Sequence, residues 1–193
     1  PYKLKQGSQS ILKDYSRQEV IEMQVLKQTD VVMLLYLLPE LFSGDIITAN
    51  LDYYEKRTIH DSSLSKAIHA IVAARINKLD QAVQFFQEAC LIDLGSSSHS
   101  ADEGIHAASL GGIWLAIVFG FANISLEENC LKIDPRLPAN WKKIGFPFHY
   151  LGRNLYIEIM KTNIIVEKIS GPSLEVKINN KNYTLEDKLT IGL

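Results

Sequence analysis

The chain has 193 residues, 47% hydrophobic and 22% charged, with a formal net charge of −2. That length allows one large domain or two small ones, and the balance lacks the basic excess of a nucleic-acid partner. Two cysteines, Cys90 and Cys130, are too few for a disulfide framework or a cysteine-rich metal site.

A reducing, cytoplasmic setting is expected, with Cys90 a buried thiol inside a helical apolar pattern. The chain opens on Pro1 and shows no secretory signal pattern, so it is expected to be a fragment.

The first ~15 residues are polar and weakly patterned. A helix is predicted from Ser16 to Leu38, carrying VVMLLYLL and stopping before Pro39, since a residue preceding proline avoids the helical region. A second runs from Asp45 to Lys56. A third begins at the serines of RTIHDSSLS and ends near Asn77, with Leu64, Ile68, Ile71 and Val72 on one stripe. A fourth covers Leu79–Asp93, with Ala82, Phe85, Phe86 and Ala89 on one face. The loop LGSSSHSAD follows.

A fifth helix is predicted from Glu103 to Phe121. The apolar stretch Ile105–Ile124 is about as long as a membrane span. Asp102 and Glu103 at its start, and the lack of closely flanking Lys or Arg, favour instead an inner helix buried on all sides. Its Ala107, Ala108, Gly111 and Gly112 would let neighbouring helices approach closely.

Beyond residue 125 the pattern changes to short β-rich runs: CLKID, PRLPANW, FPFHYLG, NLYIEIM, IIVEKI, LEVKIN and YTL. LYIEIM and LEVKIN alternate as half-buried antiparallel strands do. Asn163, Gly171-Pro172 and Asn179-Asn180 read as turns. The expected fold is α+β and multidomain: residues 1–125 form part of an α/α toroid, and 126–193 form a small antiparallel β-sandwich. Five helices cannot close a toroid, so an apolar face should stand exposed or be covered by another copy. A homo-oligomer is therefore expected, with no nucleic acid and no membrane as partner.

Two helix starts carry candidate chemistry. Asp61, Ser62 and Ser63 precede the third helix; Glu103 and Gly104 precede His106. Helix N-termini offer unpaired N–H groups and partial positive charge, so two of them with hydroxyls and an imidazole suit phosphate. Gly104 would admit a close approach of backbone to ligand. The competing reading makes Asp61 or Ser62 an N-cap and Gly104 a plain loop residue. Lys27 and Gln28 together can bind sugar hydroxyls, or belong to a solvated face. Glu55 is a candidate carboxylate or a surface ion-pair residue. His69 and His99 are expected to be structural or exposed. With no HExxH, CxxC, GxSxG or phosphate-loop pattern, neither a metal nor a cofactor is expected.

The segments VLKQTDVVMLLYLLP, NLDYYEKRTIHDSSLS, DEGIHAASLGGIWLAIVFGF and LKIDPRLPANWKKIGFPFHYLG, in that order, resemble glycoside hydrolase family 65. The family contains inverting phosphorylases of maltose, trehalose, kojibiose and nigerose. The resemblance implies the C-terminal part of an (α/α)6 barrel followed by a C-terminal β-sandwich. It implies phosphate as co-substrate, held by Ser62, Ser63 and His106, and glucose contacted by Lys27 and Gln28. The serine cluster would then be both cap and cradle.

Phosphate needs donors, not a carboxylate base, and a carboxylate beside it would repel it. The family's general acid, a glutamate, lies upstream of the matched region, so the chain alone is expected to be inactive. Maltose is the first substrate expected. The alternatives are a hydrolase of the same family and a non-catalytic helical and β-sandwich module.

Overall fold

The computed structural model describes residues 11–60, 62–95 and 104–193. Two compact units divide the chain, Pro1–Ala116 and Ile117–Leu193. The first is helical: α1 (Ile11–Asp14), α2 (Arg17–Ile21), α3 (Asp30–Leu37), α4 (Gly44–Glu55), α5 (Ser65–Arg75), α6 (Leu79–Leu94) and α7 (Ala107–Leu115).

The long helix expected over Ser16–Leu38 is two helices with a break between them. Ser16 and Glu19 form a reciprocal capping box at the start of α2, which ends at Ile21. The chain then turns at Glu22 and Met23 and reaches Leu26 without regular structure. The Leu26 N–H donates to Arg57 O at 2.8 Å, and the Ile59 N–H donates to Leu26 O at 2.9 Å. This short parallel bridge, Leu26 to Thr58, satisfies the backbone groups outside the helices. The sequence QTD then opens α3, which ends before Pro39 as predicted.

Burial differs from expectation as well. The helix enclosed on all sides is α5, where Ala67, Ile68, His69, Ala70, Ile71, Val72, Ala73 and Ala74 are all buried. Its alanines let α3, α4, α6 and α7 pack around it. Helix α7 is the more apolar, yet Leu110 and Trp114 are each 43% exposed and the preceding Ile105 is 79% exposed. Only its inner face is covered: a Cβ on Gly112 would lie 2.8 Å from Ala67 Cβ. Helix α7 runs into a π-helical turn, Ala116–Phe121, where the Ala122 N–H donates to Ile117 O. Helix α6 buries Ala82, Phe85 and Ala89 as its stripe predicts; Cys90 is half-buried rather than buried.

The second unit holds two four-stranded sheets. One has the order β1 (Ile124–Glu127), β2 (Cys130–Ile133), β6 (Leu174–Ile178), β7 (Lys181–Leu185); the other has β3 (Lys143–Tyr150), β4 (Arg153–Met160), β5 (Asn163–Ser170), β8 (Lys188–Gly192). All pairs are antiparallel except β2 with β6, which is parallel. Alternation buries Ile144, Phe146 and Phe148 of β3 and Leu155, Ile157 and Ile159 of β4. Pro147 is tolerated because β3 is an edge strand. Asn179 and Asn180, at φ 49° and 61°, make the two-residue β6–β7 turn. Asn163 opens β5 rather than forming a turn, and PRLPANW contains no strand.

Candidate functional site

The Leu26–Thr58 bridge decides where the candidate side chains lie. It holds the exposed Lys27 and Gln28 beside the segment leading into α5. That segment turns at His60, which adopts φ 57°. Gln28, Thr29, Asp30, Met33, Ser62 and Leu64 line one open cavity of about 190 Å³. The structure thus brings Gln28 and Ser62 to one wall-to-wall space, while Lys27, Ser63, Gly104 and His106 are not among its lining residues.

Beneath the cavity lies a buried polar cluster. His69 Nδ1 is 3.1 Å from Thr29 Oγ1 and 3.0 Å from Ser65 O. His60 Nδ1 is 2.9 Å from Ser65 Oγ. The two imidazoles meet edge to face at 4.8 Å and both pack against Phe85. Thr29, Ser65 and His69 are all buried. This cluster ties the Lys27-Gln28 loop to the start of α5, so it sets the spacing across the cavity.

Ser62 and Ser63 do not cap α5. The N-cap is Leu64, with no side-chain hydrogen bond to the helix, and the Ser65 N–H donates to Ser62 O at 3.1 Å. The expectation of cap and cradle together is corrected to this extent. A tight backbone turn starts the helix, and both serine side chains remain half-buried beside it.

At the second helix start, Gly104 has φ 83° with open space where a side chain would project. His106 is the N-cap residue of α7 and does not cap it through its side chain. Its ring turns to Asp93 at the end of α6: Nδ1 lies 2.8 Å from Asp93 Oδ1, and the His106 N–H donates to Oδ1 at 3.2 Å and Oδ2 at 3.3 Å. The hydrogen bond from His106 holds the Asp93 carboxyl below the usual aspartate range.

Sequence reasoning singled out neither Asp93, thirteen positions from its histidine, nor the supporting roles of Thr29, His60 and Ser65. No fixed local spacing announces such pairs. Glu55 ends α4 and does not line the cavity. Asp61, His99 and Glu103, and most of the serine-rich loop, lie outside the described residues. Among the described residues no cluster of three His, Cys, Asp or Glu side chains is arranged to hold a metal, and no helix is long and apolar enough to cross a membrane.

Comparison with known proteins gives a consistent relationship. The glycosyl hydrolase family 65 central catalytic domain matches residues 1–115, and the family 65 C-terminal domain matches residues 124–185. A kojibiose phosphorylase of Escherichia coli (strain K12) is 49% identical over 97% of this chain and 24% of its own length. An alpha,alpha-trehalose phosphorylase of Geobacillus stearothermophilus is 36% identical over 84% of the chain and 21% of its length. A maltose phosphorylase of Bacillus subtilis (strain 168) is 29% identical over 92% of the chain and 24% of its length. A solved structure described as "Putative kojibiose phosphorylase from human microbiome" superposes with a TM-score of 0.86 at 34% identity, covering 95% of this chain and 24% of that one. The chain spans about a quarter of the length of these relatives. By both domain matches and by its likeness to full-length members, the chain belongs to glycoside hydrolase family 65.

Proposed function

We propose that this chain is the C-terminal part of an inverting disaccharide phosphorylase and supplies the phosphate-binding half of its active site. Residues 1–125 would belong to the catalytic (α/α)6 barrel and 126–193 to the accompanying β-sandwich. Inorganic phosphate is the co-substrate: a phosphate oxygen bonds to the anomeric carbon of the glucosyl unit as the glycosidic C–O bond breaks. The departing oxygen takes a proton from a general acid outside this chain. The products are β-glucose 1-phosphate and a free sugar.

In this reading Ser62, Ser63, Gly104 and His106 hold phosphate, and Lys27 and Gln28 contact the glucosyl unit. The observation that carries it is the cavity shared by Gln28 and Ser62, with the Leu26–Thr58 bridge holding the sugar loop against the serine loop. The order of identities favours kojibiose over maltose as substrate, which revises the expectation from sequence.

The test incubates the complete polypeptide carrying this chain with kojibiose, trehalose, nigerose and maltose, with and without phosphate. Phosphate-dependent glucose 1-phosphate, fastest from kojibiose, is expected. Release of glucose without phosphate would establish a family hydrolase instead, and no turnover of any sugar would favour a non-catalytic module. Ser63→Ala or His106→Ala should weaken phosphate binding by about 1.5–3 kcal/mol, the value of a hydrogen bond to a charged group, and disaccharide binding by much less. Equal losses for phosphate and sugar would refute the assignment.

A further inference from the structure

The contact between His106 and Asp93 has a chemical consequence for an anion site. A carboxylate accepts hydrogen bonds, so the ring nitrogen facing it, Nδ1, is the donor. A neutral imidazole with its proton on Nδ1 presents a lone pair at Nε2, which cannot donate to a phosphate oxygen. Only the imidazolium donates from both nitrogens, and a neighbouring carboxylate favours that form. The geometry also fixes the ring, because the same carboxylate takes the His106 backbone N–H as well as Nδ1. The two side chains are only 25% and 12% exposed, so water competes weakly for the pairing.

We propose that Asp93 is a positioning residue for phosphate: it locks the His106 ring through Nδ1 and the backbone N–H and keeps Nε2 a donor toward the anion. This rests on the reading of His106 as a phosphate ligand. Asp93 itself touches neither phosphate nor sugar. Its charge is balanced by the imidazolium between it and the anion, so it does not act as a bare carboxylate beside phosphate.

Steady-state kinetics on the complete polypeptide test this. Asp93→Asn keeps the size of the side chain and an acceptor oxygen but removes the charge. It should raise the KM for phosphate about tenfold, the difference between a charge-assisted and a neutral hydrogen bond, and leave the disaccharide KM within about twofold. Asp93→Glu keeps the carboxylate and should recover part of the loss.

In a His106→Ala background Asp93→Asn should add nothing, because its route to phosphate is gone. If Asp93→Asn leaves the phosphate KM unchanged while His106→Ala raises it, the inference fails and the phosphate reading stands. If His106→Ala itself leaves the phosphate KM unchanged, both fail. Loss of folding in both Asp93 variants would make Asp93 a structural residue and overturn the proposal.

Discussion

His69→Leu probes the buried cluster that ties the sugar loop to α5. The imidazole is wholly buried, 3.1 Å from Thr29 Oγ1, and packs edge to face on His60 at 4.8 Å and on Phe85 at 5.3 Å. Leucine fills a similar volume, so the cavity cost is small. Ser65 O keeps its place in the first turn of α5. The Thr29 hydroxyl, buried with the imidazole as its partner, loses that hydrogen bond, at about 1–3 kcal/mol. Loss of the ring contacts adds about 0.5–1.5 kcal/mol. The expected destabilisation is about 2–4 kcal/mol in urea unfolding followed by tryptophan fluorescence. Thr29→Val alone should destabilise by about 1 kcal/mol, but in the His69→Leu background it should restore stability by removing the orphaned hydroxyl. A loss below about 0.5 kcal/mol for His69→Leu, or equal penalties for Thr29→Val in both backgrounds, would refute the role given to this hydrogen bond.

Gly112→Val should lower stability by about 1–3 kcal/mol through overpacking, since its Cβ would meet Ala67 Cβ at 2.8 Å and Leu64 Cδ1 at 3.1 Å; thermal midpoints measure this. Gly111→Ala, with open space around the new Cβ, should instead stabilise α7 by about 0.5–1 kcal/mol in the same assay. The Asp93 carboxyl is held below its ordinary value of 3.8, so its contribution is complete above that value and is lost as pH falls toward the folded-state value. Denaturant unfolding across acid pH should show the stability gap between the wild type and Asp93→Asn closing in that window, and a gap independent of pH would contradict the pairing. Gly171→Ala should be strongly destabilising, because φ is 102° and its Cβ would lie 2.7 Å from Gly152 O; loss of the folded near-ultraviolet signal reads it out.

Much of the fold was legible where local pattern and local structure coincide. Helices α4, α5 and α6 follow their apolar spacing, and β3, β4 and β6 alternate with one face buried, while β5 does so only over its first half. The rest depends on partners distant in sequence. The break between α2 and α3 arises because Leu26 pairs with Thr58, and nothing in the run from Ser16 to Leu38 announces that pairing. Strand β1 buries only its first residue and β8 buries none, so neither has the fully buried face of a core strand; both lie at sheet edges. The parallel pairing of β2 with β6 joins residues such as Leu131 and Val176, a register no local pattern encodes. Apolarity also misplaced the most enclosed helix. The alanines and His69 make α5 less apolar than α7, but small side chains are what allow four helices to close around it.

The candidate site shows the same division, and Asp93 is its sharpest case. A bare carboxylate beside phosphate repels it, and one placed to activate water marks a hydrolase. The structure gives this carboxylate a different character. A general base works best with a pKa near the operating pH and a free path to water. Asp93 has a lowered pKa, is 12% exposed, and accepts three hydrogen bonds from His106. Those properties suit a counter-ion to His106, not a general base. The two roles give opposite results in one experiment on the complete polypeptide. If Asp93 were a base, Asp93→Asn would abolish turnover at any phosphate concentration. As a counter-ion to His106, it should lose activity at low phosphate and regain most of it when phosphate is raised about tenfold.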